Sequence, residues 1–201
     1  MCHYINIYYI EKKLIYFGPG SSVDFPTYTG QHLVLTYPDL KPSNCSVPLH
    51  PLNEQNRQGY VGTMTKWGTM VCGGYSQLED ITKGRSCYTY RHGVWKPANQ
   101  MITARDMAAA AWISTPMGSR LWWVTGGKDA AFGSVISTEL YDPNTQKWTS
   151  GVDLPIRMSR HFMVAINTTH VFIVGEGGLC MYAWQWSCMF KGLYVQHAIW
   201  I

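Results

Sequence analysis

The sequence predicts an all-β chain assembled from repeated units, and three observations carry that prediction. One block occurs twice, 53 residues apart: Cys72-Gly73-Gly74, Tyr88, Trp95 and Met101 are answered by Thr125-Gly126-Gly127, Tyr141, Trp148 and Leu154. A period near fifty residues marks an array whose units bury apolar faces on their neighbours, and such arrays present binding surfaces. Apolar runs are short and stop at Gly, Pro, Asn or Asp, as antiparallel strands joined by turns do. Finally, aromatic residues make up 14% of the 201 residues and charged residues only 14%, a composition that supports a core and opposes disorder.

The first unit, residues 1–58, is degenerate. Apolar runs at 5–10 and 14–17 flank a turn at Glu11-Lys12-Lys13, and a third run covers 32–37. Its Tyr37 lies 51 residues before Tyr88, but Asn44 stands at the tryptophan position. In the second unit, 59–106, strands are expected from Gly59 onward, at 67–71, 87–90 and 94–96. The third unit, 107–160, places them at 107–113, 121–125, 136–141 and 147–149. Its alanine run favours helix by propensity, yet small side chains also suit a crowded inner strand, and strand is the reading adopted. Asp142-Pro143-Asn144-Thr145 puts proline at the second position of a type I turn. A further unit begins over 161–178, and 179–201 lacks the Tyr-to-Trp spacing altogether.

A double glycine closing an apolar strand, then Glu139, Tyr141 seven residues before Trp148, and Arg160-His161 opening the next strand together resemble the kelch repeat. The resemblance is fullest over 121–178, good over 59–105, partial over 1–58 and absent over 179–201. It implies an incomplete β-propeller of about three and a half four-stranded blades. Propellers close with about four to eight blades, so it also implies either a longer parent chain or a second copy that completes the ring. On this reading Gly73, Gly74, Gly126 and Gly127 permit tight turns at positive φ. Tyr88, Trp95, Tyr141 and Trp148 are structural, filling the wedge between blades.

The implied function is a non-catalytic protein–protein interaction module that needs no cofactor. Loops after the second and fourth strands share one face: 19–31, 75–86 and 128–135, with 53–58, 97–105 and 151–160. Variable loops on a rigid scaffold are where a protein or peptide partner is expected. Arg57, Arg105 and Arg160 fall near the start of successive inner strands on that face. Peptide-binding kelch proteins use arginines there, and charge-assisted hydrogen bonds suit an acidic peptide. The competing reading is that these arginines tie blade to blade. Tyr75, Lys128, Asp129 and Phe132 are further candidates. Kelch proteins of this kind include cytoplasmic ubiquitin-ligase substrate adaptors, which carry a BTB domain ahead of the repeats, and actin binders.

Other classes fare worse. The net charge is +4, but the 16 basic residues are scattered, so no nucleic-acid partner is expected. The apolar run at 179–190 is too short to span a bilayer, so no membrane partner is expected, and the start of the chain lacks the pattern of a signal peptide. Some kelch propellers resemble galactose oxidase, whose copper site needs tyrosines and histidines. The seven histidines here show no paired spacing, and a copper radical oxidase is a distant alternative. Six cysteines fit no zinc pattern, and no metal is expected. Cys72 and Cys87 fall on adjacent strands of one unit, within disulfide reach. With the sequons Asn44-Cys45-Ser46 and Asn167-Thr168-Thr169, they support an extracellular, disulfide-containing kelch protein as the alternative.

Overall fold

A computed structural model of the chain describes residues 57–75, 84–92, 94–115, 117–166 and 170–175, together with strands lying within 6–42 and 178–197. Each short apolar run pairs with the next run in the sequence, so the chain folds as a series of antiparallel meanders. The first sheet contains β1 (Asn6–Ile10), β2 (Lys13–Phe17), β3 (His32–Thr36) and β4 (Lys41–Pro42). The second contains β5 (Gln58–Thr65), β6 (Gly68–Tyr75), β7 (Cys87–Arg91) and β8 (Val94–Ala98). The third contains β9 (Ala109–Ser114), β10 (Arg120–Thr125), β11 (Thr138–Asp142) and β12 (Lys147–Ser150). Five strands make the fourth: β13 (Phe162–Ala165), β14 (Val171–Gly175), β15 (Gly178–Tyr182), β16 (Trp186–Phe190) and β17 (Leu193–His197). Among the described residues, no helix is long and apolar enough to cross a membrane.

Pairing thus continues past Gly178, where the repeat pattern stops. Strand pairing is carried by backbone hydrogen bonds and asks only for β-prone residues. The double glycine and the aromatic pair serve a different purpose, which is packing one sheet on the next. Both glycosylation sequons, Asn44 and Asn167, lie outside the described residues, as do the loop at 19–31 and most of that at 75–86.

First strands of successive sheets lie side by side: β1 approaches β5, β5 approaches β9, and β9 approaches β13. The alanine run makes the last of these approaches close. Ala109 is buried in a cluster with Trp123, Leu154, Met158, Met163, Val171 and Ile173 between the third and fourth sheets. A second cluster fills the space between the second and third sheets, where Met70, Cys72 and Cys87 meet Trp122, Val124 and Tyr141. The double glycines sit at the exits of β6 and β10. All four residues have φ between +55° and +93°, a region that L side chains rarely adopt. A Cβ on Gly73 would also lie 2.7 Å from the Arg105 carbonyl oxygen, and one on Gly127 would lie 2.7 Å from that of Asp106.

Equal spacing of the aromatic pair does not produce equal pairing. In the third sheet Tyr141 and Trp148 stand opposite each other, with ring centroids 5.1 Å apart. In the second sheet Trp95 stands opposite Tyr90, and Tyr88 pairs with Pro97. The cause is the turn. Four residues, 143–146, join Asp142 to Lys147, whereas only two separate Arg91 from Val94. The resulting shift of two keeps every side chain on its own face, because the strand period is two. The longer turn is built by Asp142. Its carboxylate accepts from the Asn144 N–H at 2.7 Å and the Thr145 hydroxyl at 3.0 Å, and the chain leaves through Gln146 at φ +57°. The Asn144 N–H is the main cause that holds the Asp142 carboxyl below its usual range.

Trp148 is half-buried and donates its indole N–H to the Asn99 carbonyl of the preceding unit, 2.9 Å away. Trp122, by contrast, is buried, 1% exposed and packed against Trp148. Trp122→Ala is therefore expected to cost about 3–5 kcal/mol in denaturant unfolding. Trp148→Phe, which mainly removes one hydrogen bond, is expected to cost about 1 kcal/mol.

His161 is 5% exposed, and its Nε2 lies 2.8 Å from the Thr125 hydroxyl. Burial pushes its pKa down from 6.5 to about 4, so the folded protein holds it neutral. As pH falls below 6.5 the unfolded chain takes up this proton first. Stability supplied by the neutral ring is complete above 6.5 and is lost progressively down to about pH 4, by about 3 kcal/mol. His161→Gln is expected to flatten this limb of a stability–pH profile. An unchanged limb in that variant means that another group causes the loss.

Candidate interaction face

At the end of the sheets that carries the double glycines, backbone hydrogen bonds lock the exits of β6 and β10 to the next unit. The Gly74 N–H donates to the Arg105 carbonyl at 2.8 Å, and the Gly127 N–H donates to the Met158 carbonyl at 2.8 Å. Arg105 and Met158 therefore occupy one structural position in successive units, 53 residues apart. Arg57 belongs to the same position, since it stands two residues before Gly59 as Arg105 stands two before Met107. Gly59, Met107 and Arg160 define a second position. All three have positive φ, and their backbones link in series: the Met107 N–H donates to the Gly59 carbonyl and the Arg160 N–H to the Met107 carbonyl, each at 2.9 Å.

This geometry corrects the expectation that Arg57, Arg105 and Arg160 form one exposed set. Arg57 is 4% exposed and donates to the Gly74 carbonyl at 3.0 Å. Arg105 is 2% exposed and fully engaged. Its guanidinium donates to Glu139 through Nε at 3.0 Å and through one terminal nitrogen at 2.9 Å, and to the carbonyls of Gly126 and Ser137 at 2.8 and 2.7 Å. The Glu139 carboxylate also accepts the N–H groups of Ile102 and Thr103. Arg105 thus ties the linker between two units to β11, which is the competing reading. Arg160 alone of the three is exposed, because it sits two residues beyond that position. Both Arg105 and Arg160 lie near the start of an inner strand, but the 53-residue offset matches Arg105 with Met158.

What this end does expose is the loop 128–135. Asp129 Oδ1 accepts the N–H groups of Ala131 and Gly133, and backbone bonds join Asp129 to Gly133 and Phe132. Lys128 bridges to Asp106 on one side and to Ser134 on the other, and Val135 bridges to Met158. At the tip Phe132 has φ +60° and is 51% exposed. A bulky residue in the left-handed region is strained, and such strain clusters at functional sites. Its ring meets Tyr75 of the preceding unit edge-on, with centroids 4.9 Å apart. Tyr75, Lys128, Asp129 and Phe132, all candidates from the sequence, line one notch together with Asp106. The notch measures about 10 Å³, room for about one water and too small to enclose a larger ligand.

The spacing of motif residues did not flag Asp106. It is 7% exposed, and its Oδ1 has no hydrogen-bond partner among the described residues. Burial pushes its carboxyl up to about 6, against the opposing effects of Lys128, the Met107 N–H and Arg160. The signal available in the sequence was its position directly after the linker arginine.

Comparison with known proteins agrees with this architecture. The chain is 27% identical over 144 residues to Kelch-like protein 36 of Bos taurus, covering 68% of this chain and 21% of that one. Kelch-like protein 36 of Rattus norvegicus and of Mus musculus are each 26% identical over 144 residues. The likeness supports a relation to the kelch-repeat family. No family model matches the chain. The matched region spans about a fifth of the length of these kelch-like relatives.

In the same unit Cys72 and Cys87 stand opposite each other on β6 and β7 and are joined as a disulfide, with Cα atoms 4.1 Å apart. Among the described residues, no three His, Cys, Asp or Glu side chains gather as a metal site would require. The two classes of arginine behave differently under substitution. Arg105→Ala leaves Glu139 buried without its partner and is expected to cost about 3–5 kcal/mol in denaturant unfolding. Arg160→Ala is expected to change stability by less than about 0.5 kcal/mol.

Proposed function

We propose that the four meanders are blades of a kelch β-propeller, and that the chain is a non-catalytic module binding a partner protein or peptide through its glycine-end loops. The blade reading is supported by the order of strands within each sheet and by the side-by-side first strands of successive sheets. The binding reading rests above all on Phe132, an exposed aromatic held in a strained conformation on a rigid loop. Such pre-ordered aromatics bind at low entropic cost. Lys128, Asp129 and the exposed Arg160 supply a polar rim around it. The narrower roles of ubiquitin-ligase substrate adaptor or actin binder rest on family likeness alone.

A photo-crosslinking residue placed at position 132 tests this reading, with one at Thr149 on the outer strand as the control. Discrete partner adducts are expected at 132 and not at 149, and they should be lost when Lys128 and Arg160 are both changed to Glu. Equal labelling at the two positions would sink the assignment of this face.

A second reading, an extracellular kelch protein, is favoured by the Cys72–Cys87 disulfide, because such bonds persist in oxidising compartments. A peptide map of protein isolated from its native source, trapped with a thiol-blocking reagent, decides it. A cross-linked Cys72–Cys87 peptide pair, lighter by two hydrogens than the reduced pair, is expected for this reading. Blocked thiols at both Cys72 and Cys87 exclude it, whatever the state of the other four cysteines.

A further inference from the structure

The sixteen basic residues are scattered in the sequence, but the fold gathers four of them at the end opposite the double glycines. There the hairpin turns of the second and third sheets lie next to one another. The Trp67 indole N–H donates to the Pro143 carbonyl at 2.8 Å, and the Lys66 ammonium donates to Asn144 Oδ1 at 2.7 Å. Two clefts open beside this joint. One, of about 470 Å³, is lined by Trp67, Thr89, Arg91, His92, Val94 and Lys96. The other, of about 390 Å³, is lined by Met64, Thr65, Lys66, Trp112, Arg120 and Pro143. Both fall within the size range of ligand sites. Neither lining includes Asp or Glu.

Three of the four cations, Lys66, Arg91 and Arg120, lie beside tryptophan rings. Lys66 Nζ lies 5.1 Å from the Trp67 centroid and the Arg91 guanidinium 6.0 Å from it, while the Arg120 guanidinium lies 5.4 Å from the Trp112 centroid. A guanidinium seated near a ring has fewer conformations to lose when it binds a carboxylate, and its planar fork matches that group. Asp142 is the nearby acid; its carboxylate accepts from the Asn144 and Thr145 donors of its own turn and attracts Lys66, which leaves Arg91 and Arg120 as the cations to receive a partner's carboxylates.

We infer that this hairpin end is a second interaction surface, which docks an acidic segment of a partner protein across the two clefts, with Arg91 and Arg120 receiving its carboxylates. Carboxylates fit better than a nucleic-acid strand. Single strands bind by stacking bases on free aromatic faces, and here both tryptophans already have cations beside their rings. The surface is at the far end of the sheets from Phe132, so it stands or falls independently of the loop face.

The test titrates the full chain with a fluorescent oligoglutamate peptide, and in parallel with an oligoglutamine peptide of the same length and a single-stranded oligothymidylate. Saturable binding of oligoglutamate alone is expected. It should weaken by about tenfold or more in the double variant Arg91→Glu/Arg120→Glu and stay unchanged in Lys128→Glu/Arg160→Glu. Should the first variant fail to fold, Arg91→Gln/Arg120→Gln retains size and is read in the same way. The inference is overturned if oligoglutamate does not bind, or if the hairpin-end and loop-end variants lose binding equally. Tighter binding of oligothymidylate than of oligoglutamate overturns it in favour of a nucleic-acid strand.

Discussion

Everything at the glycine end depends on one repeated backbone capture. In the second and third sheets the chain leaves the second strand through a double glycine, and the second glycine's N–H donates to the carbonyl of the residue entering the next unit. Buried amides must find partners, so these linkers cannot pack inside without such bonds. The first glycine of each pair makes room for the captured carbonyl, because a Cβ on Gly73 would collide with that of Arg105 and one on Gly126 with that of Met158. Where the captured residue is arginine, its side chain adds a charged clamp on Glu139, with no donor spent on solvent. Where it is Met158, the same position is filled by apolar packing against Trp123 and Ile173. One geometry is thus stabilised by two different chemistries.

That capture leaves the intervening loops free to vary while keeping their ends fixed. The loop 128–135 shows the consequence. Its backbone is bridged on three sides, its turn is closed by Asp129, and its one strained residue is the aromatic at the tip. A strained conformation persists only where its surroundings over-determine it, and here they do. The opposite end has tighter turns and a different chemistry, with cations resting on tryptophans instead of an aromatic pair flanked by mixed charges. A scaffold of stacked meanders therefore offers two separate surfaces of unlike character.

Much of the local structure was legible. Strands of the second and third sheets begin and end close to where apolar runs meet Gly, Pro, Asn and Asp, and the alanine run forms a strand. Residues judged by type alone misled. Arg160 resembles Arg105 in chemistry but occupies the position of Met107, which the positive φ of both reveals. Trp95 keeps the seven-residue spacing yet faces Tyr90, because a shorter turn moved its partner by two. The place of Asp106 after a linker arginine was legible, but its burial was not, since a carboxylate there reads as an exposed loop residue. The cationic hairpin end was invisible because its members are spread over 55 residues, from Lys66 to Arg120.

By itself the sequence determined the all-β class, the repeat period, the positive-φ glycines and the turn residues. These are local properties, carried by side-chain alternation and by the conformational limits of Gly, Pro and Asp within a few residues. Only the tertiary structure decided which arginines are buried, which tryptophans close the core, how far the last sheet extends, and which charges share a surface. Those outcomes depend on contacts between units, where a shift of two residues in register or a carbonyl 2.8 Å away changes a residue's surroundings without changing its neighbours in the chain.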